Sequence, residues 1–145
     1  MNLKIKLLSP QAQMPTYATP GSAAMDLCAC MEAEVQLPPR STQMFSTGIA
    51  IALPGPDYVA LVFARSGLGV KHGIALANGV GVIDSDYRGE IKVGLRNSSD
   101  GFYTVHPGDR IAQLAVVPLV RAELECRDDL DATDRGEGGF GSTGD

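Results

Sequence analysis

An all-β domain, a sandwich or a barrel, is the fold class this sequence predicts, on three observations. Helical periodicity is almost absent along the chain. Apolar and β-branched residues come in short, strand-sized runs cut by Gly and Pro, as in antiparallel β architectures. One run, EIKVGL at 90–95, alternates Glu90, Lys92 and Gly94 against Ile91, Val93 and Leu95. That alternation is what a strand with one buried face requires.

The expected elements follow in order. KIKLL (4–8), EVQL (34–37), GIAIAL (48–53) and YVALVF (58–63) are the first four strands. SGLGVKHG (66–73) is the only plausible helix, a turn or two, because its interior glycines weaken it. GVGVI (79–83), EIKVGL (90–95), FYTV (102–105) and RIAQLAVVPLV (110–120) complete the set. There is no internal repeat. After about Leu130 the apolar pattern stops, so residues 1–130 are expected to form the domain and 131–145 a Gly-rich tail.

A chain of 145 residues is most simply one domain, burying roughly 68–70% of its unfolded surface. The net charge of −5 offers no general basic field for nucleic acid or an acidic membrane. Phosphates would have to be met by a local site, helped by a divalent cation. No apolar run approaches the ~20 residues of a membrane span, and no signal-peptide pattern is present. The three cysteines, Cys28, Cys30 and Cys126, are an odd count that suits a reducing compartment. A cytoplasmic protein is the expectation. Cys28 and Cys30 flank Ala29 and would share one side of a strand; a metal site there would lack further ligands, since His72 and His106 lie far along the chain.

Five stretches could carry chemistry. In GVIDSDYRGEI (81–91) two apolar runs flank S-D-Y-R-G, which reads as a β-hairpin. Asp84 then ends a strand, where a carboxylate can be held in a fixed direction as a general base; alternatively Asp84 and Asp86 only shape an Asx turn. ARSGLG (64–69) puts a guanidinium, a hydroxyl and an approachable backbone at a strand-to-helix turn. Arg65, Ser66 and Gly67 suit an anion, or make an ordinary turn. Gln113, in GDRIAQL (108–114), and Asn78, in ALANGVG, each carry both donor and acceptor, although Asn-Gly is also a common turn pair. Asp26, alone in AAMDLCA, is either a satisfied structural acid or a group holding metal-bound water. In the tail RGEGGFGSTGD (135–145), Arg135 could clamp a phosphate, Phe140 could stack on a ring, and Ser142 and Thr143 could donate hydrogen bonds. Ordering so many glycines costs about 1–2 kcal/mol of backbone entropy per residue, so the alternative is a disordered tail.

Taken together, AMDL (24–27), ARSGLG, GVIDSDYRGEI, GDRIAQL and RGEGGFGSTG (135–144) resemble, in order and spacing, the five motifs of the homotrimeric dUTPase family. The resemblance spans nearly the whole chain. It implies a distorted, jelly-roll-like β-barrel and a three-fold trimer. It also implies hydrolysis of dUTP to dUMP and pyrophosphate with Mg²⁺ on the triphosphate, at sites that each draw on three subunits. On this resemblance Asp84 matches the general base for the attacking water, and Tyr87 the residue under the deoxyribose that excludes a 2′-hydroxyl. Asn78 and the backbone of Gly81, Val82 and Ile83 match the uracil-reading segment. Arg65, Ser66, Gly67 and Gln113 match phosphate contacts, and Asp26 an acid that reaches Mg²⁺ through water. Arg135 and Phe140 match the tail residues at the γ-phosphate and over the uracil, in a lid serving a neighbouring subunit. Lys92 lies where the backbone could contact the base. Ala24 stands where the family more often has Gly.

The implied chemistry is physically coherent. Arg65, Arg135 and Mg²⁺ would compensate a triphosphate locally on an acidic chain. A carboxylate is a weak base for bulk water, so positioning must supply much of the rate, and closure of the tail would exclude other water. Two other readings remain at this stage. A dCTP deaminase relative would attack cytosine, but its hairpin typically departs from I-D-S-D-Y and it lacks this tail. A nucleotide-dependent regulatory protein would not need every catalytic position filled.

Overall fold

The computed structural model describes residues 1–139. Its elements, in chain order, begin with β1 (Lys4–Leu7), β2 (Thr16–Tyr17), β3 (Met25–Cys28), β4 (Val35–Leu37), β5 (Thr42–Ser46) and β6 (Ile49–Ala52). Then come β7 (Tyr58–Phe63), α1 (Ser66–His72), β8 (Ile74–Leu76), β9 (Gly81–Ile83), β10 (Lys92–Asn97), β11 (Tyr103–Val105) and β12 (Arg110–Pro118). Every ladder is antiparallel.

The largest sheet runs β2-β3-β12-β7-β9, and a second runs β5-β10-β8. Two smaller pairs, β1-β6 and β11-β4, complete the set. One core unites all four: Leu27 and Leu114, Phe45, Val93 and Leu95, Ile49 and Ile51, Leu37 and Val105 pack in a single cluster. Burying each such side chain is worth about 1.5–3 kcal/mol. The alternation read in EIKVGL is present, with Ile91, Val93 and Leu95 buried and Lys92 exposed. The all-β expectation with one short helix therefore holds. The sheets are not closed into a barrel, because β9 and β2 end the large sheet and β5 and β8 end the smaller one. Short strands between breaks such as LPGPD (53–57) let the chain change sheets before any ladder can close on itself.

The expected hairpin over 81–91 does not form as a ladder. Gly81, Val82 and Ile83 pair with Val62, Leu61 and Ala60 of β7, whereas β10 lies between β5 and β8. Each arm finds a different partner strand, so residues 84–91 cross from one sheet to the other. That crossing opens a cleft.

Candidate active site

The cleft has a volume of about 560 Å³ and lies between β9 and the β8–β10 edge. Asn78, Gly81, Val82, Ile83, Tyr87 and Lys92 line it. Among the described residues β9 is held by β7 on one side only and is the edge of its sheet, so its other side presents backbone N–H and C=O groups without a ladder partner there. Such groups, fixed by the strand behind them, can read the edge of a planar base. Val82 lines the cleft with 65% of its surface exposed.

Beyond Ile83 the chain makes a tight turn, in which the Tyr87 amide donates to the Asp84 carbonyl at 3.2 Å. Arg88 braces that turn, Nη1 donating to the carbonyls of Ser85 (2.7 Å) and Tyr87 (2.9 Å). Among the described residues neither the Asp84 nor the Asp86 carboxylate accepts a hydrogen bond within this turn, which Arg88 and the Tyr87 amide hold instead. Asp84 is exposed and directly follows the cleft-lining Ile83 in the chain. The Tyr87 ring folds back over Gly89, its hydroxyl donating to the Glu90 carbonyl at 3.0 Å. A Cβ at Gly89 would lie 2.5 Å from Tyr87 Cζ, so only glycine lets the ring lie there.

A second pocket, of about 480 Å³, collects Asp26, Arg65, Ser66, Gly67, Arg110 and Gln113. Strand order explains the gathering: Gln113 of β12 pairs with Asp26 of β3 on one side and Phe63 of β7 on the other, two residues before Arg65. Arg65 Nε donates to Asp26 Oδ1 and Arg110 Nη1 to Asp26 Oδ2, both at 3.1 Å. Arg65 Nη1 also donates to the Arg110 carbonyl at 3.1 Å, and Gln113 Nε2 to the Ala64 carbonyl at 2.9 Å. Asp26 is thus a satisfied acid that holds two guanidinium groups in place.

The register of β12 shifts between Arg110 and Ala112. In a regular strand Arg110 would share the face of Ala112 and Leu114, both fully buried. The bulge turns Ile111 into the core instead and swings Arg110 out to Asp26. Burial pushes the nearby Cys28 thiol above its ordinary value of 9.0, with Asp26 adding to the rise and Arg110 and Arg65 opposing it.

The structure therefore divides the expected site residues between two places. Asn78, Gly81, Val82, Ile83, Tyr87 and Lys92 meet in the cleft; Asp84 does not line it but follows Ile83 directly and is exposed. Arg65, Ser66, Gly67, Gln113 and Asp26 meet in the second pocket. Arg135 joins neither: its Nε donates to the carbonyl of Gly138, within its own turn, at 2.7 Å. Phe140 lies outside the described residues, as do Ser142 and Thr143. Sequence reading missed Arg110, although a lone acid in an apolar stretch asks for a cation. It also missed Met44, which lines the cleft and had no signal.

Mg²⁺ can be tested against the donor set. Among the described residues no three acids, histidines or cysteines stand close enough to cage a metal. Asp26 faces the second pocket, but both its oxygens already accept from arginines. Among the described residues this donor set suits an ion that brings most of its ligands with it, as Mg²⁺ on a polyphosphate does.

A cleft of about 560 Å³ beside an open strand edge, together with an arginine-lined pocket, defines a β-protein whose surface suits a ligand with a planar and an anionic part. The comparisons narrow this class: the dUTPase family model matches residues 10–144, and the chain belongs to the dUTPase family. It is 50% identical to the deoxyuridine 5′-triphosphate nucleotidohydrolase of Enterobacter sp. (strain 638), covering 98% of this chain and 96% of the relative. Among solved structures, the dUTPase of Staphylococcus bacteriophage 80alpha with dUPNHPP superposes with a TM-score of 0.90 at 29% identity, over 99% and 98% of the two chains. A mutant dUTPase from phage phi11 of S. aureus, described with a structural Mg(II) ion, gives 0.82 at 25% identity, over 91% and 100%.

Proposed function

We propose that the protein hydrolyses dUTP to dUMP and pyrophosphate, and that its active sites form between the subunits of a homotrimer. The observation that carries this reading is the division just described. One chain holds a base-and-sugar cleft and a separate phosphate pocket, and Asp84 stands exposed directly after the cleft-lining Ile83. A second copy's phosphate pocket facing Asp84 would complete one nucleotide site.

In that site Asn78 and the open edge of β9 read uracil, and Tyr87 packs under the deoxyribose. Arg65, Ser66, Gly67 and Gln113 of another subunit take the phosphates, with Arg65 pre-aimed by Asp26. Asp84 orients a water and accepts its proton as the water oxygen attacks the α-phosphorus. The bond to the bridging oxygen breaks, and pyrophosphate leaves. Mg²⁺ carried by the triphosphate supplies positive charge to the phosphate oxygens.

Residues 131–145 serve as a lid over a neighbour's site, Arg135 at the γ-phosphate and Phe140 over the base. The segment that leads into it carries exposed Val120 (95%), Leu124 (96%) and Leu130 (90%), apolar side chains that another subunit's surface could cover. No helix among the described residues is long and apolar enough to cross a membrane, and three free cysteines suit a cytoplasmic setting. The test is pyrophosphate release across the deoxy- and ribonucleoside triphosphates, with and without Mg²⁺. Release from dUTP alone is expected; ammonia from dCTP would overturn the reading.

A further inference from the structure

We infer that Glu90 is a positioning residue, which anchors the Asp84–Gly89 loop to the β5–β6 turn and thereby sets how tightly Tyr87 discriminates deoxyribose from ribose. The inference rests on the proposed role of Tyr87 at the sugar. It begins from a weakness in the fold: the two arms of this loop belong to different sheets, so no ladder runs between them. Something else must hold the loop.

Glu90 does so with both its main chain and its side chain. Its carbonyl accepts the Tyr87 hydroxyl at 3.0 Å. Its carboxylate accepts the Gly48 amide at 2.9 Å and the Ser46 hydroxyl at 3.5 Å. Gly48 sits at φ 69°, in a turn so closed that a Cβ would lie 2.7 Å from both Ala12 Cβ and Cys30 Sγ. An amide fixed in such a turn cannot swing to a new acceptor, so losing the carboxylate leaves it unsatisfied. The neighbouring contacts, Thr47 Oγ1 to the Ile91 carbonyl at 2.5 Å and the Ile91 amide to the Ile49 carbonyl at 2.8 Å, continue the same seam.

Glu90 is also the wall between the cleft and a smaller cavity of about 290 Å³ beside Cys30 and Met31. Truncating it would join the two spaces and remove support from beneath the Tyr87 loop. The pairing with Lys92 Nζ at 3.7 Å is half-exposed and contributes little. The acceptor matters, and the charge is secondary.

The experiment compares Glu90→Ala with Glu90→Gln in the full chain. Glu90→Ala should raise the KM for dUTP about tenfold with a smaller fall in kcat, and should lower the dUTP-over-UTP ratio of kcat/KM about tenfold. Glu90→Gln, whose amide oxygen still accepts from Gly48, should restore most of both losses. An unchanged dUTP-over-UTP ratio in Glu90→Ala, or a Glu90→Gln as impaired as the alanine variant, would overturn the inference. Amide hydrogen exchange over residues 84–91 gives a readout without activity. Protection there should drop in Glu90→Ala and persist in Glu90→Gln, even if thermal stability falls. Unchanged protection in Glu90→Ala would sink the anchor. If the wild-type protein released no pyrophosphate from dUTP, the proposed function would fail while this exchange test still decided the role of Glu90.

Discussion

The base cleft and the phosphate pocket are built by opposite means. The cleft is edged by main chain: β9 is pinned to β7 through Val62, Leu61 and Ala60, and its outer edge needs no side chain to present donors and acceptors. The phosphate pocket is built from long side chains held by charge, with Arg65 and Arg110 both bonded to Asp26. The backbone of β9 is fixed by its ladder to β7. In the pocket, Asp26 engages Arg65 through Nε and Arg110 through Nη1, which leaves further N–H donors of both guanidinium groups for another anion. On the proposed roles, selectivity for the base and capture of the phosphates should have different sensitivities to mutation.

The largest effect is expected at Asp84, where on the proposed roles the two regions must meet. Asp84→Asn should cut kcat by about 10²–10⁴-fold while calorimetry still detects dUTP binding; near-normal turnover would remove Asp84 from its role. Deleting residues 135–145 should leave a stable assembly with kcat reduced about tenfold or more. If light scattering showed the shortened protein failing to assemble, the tail would be structural instead.

The contrast between the regions is tested next by paired substitutions. Arg65→Lys, which cannot bridge Asp26 and the Arg110 carbonyl with one fork, should raise KM about tenfold. Val82→Ala trims an exposed side chain at the cleft but leaves the main chain of β9 in place, and should move KM by no more than about twofold. Equal effects from the two would dissolve the contrast.

The smallest effect concerns pH. Burial raises the Cys28 thiol above 9.0 and the Tyr103 phenol above 10.0. Both therefore favour the folded state fully below those values, and that contribution is lost as pH rises through the raised folded values. Thermal midpoints measured from about pH 8 to about pH 11 should fall at the alkaline end. Cys28→Ser should flatten the first part of the decline; an identical profile would acquit the thiol.

Much of this was legible in the sequence, for reasons that differ by element. YVALVF gave β7 residue for residue, because a long apolar run between prolines and a turn has few alternatives. β5, TQMFS, was invisible because it buries only Phe45 and otherwise reads as polar loop. β8 is three residues long and hides behind the helix. The pairing of β9 and β10 with other strands was not readable, because adjacency along the chain favours a hairpin while the competing partners lie far away in sequence. The chemistry-bearing residues emerged through their motifs. Arg110 stayed hidden because its direction depends on a bulge, and alternation alone would have pointed it into the core.

The open edge of β9 has one more consequence. An unpaired strand edge is an invitation to other chains, and many β-proteins guard theirs with charge, proline or a covering loop. Here the edge is only three residues long and begins with glycine. So short an edge gives a foreign strand little to zip onto, yet suffices for a single flat heterocycle. The brevity of β9 thus serves as colloidal protection, keeping this surface available to a small molecule and closed to aggregation.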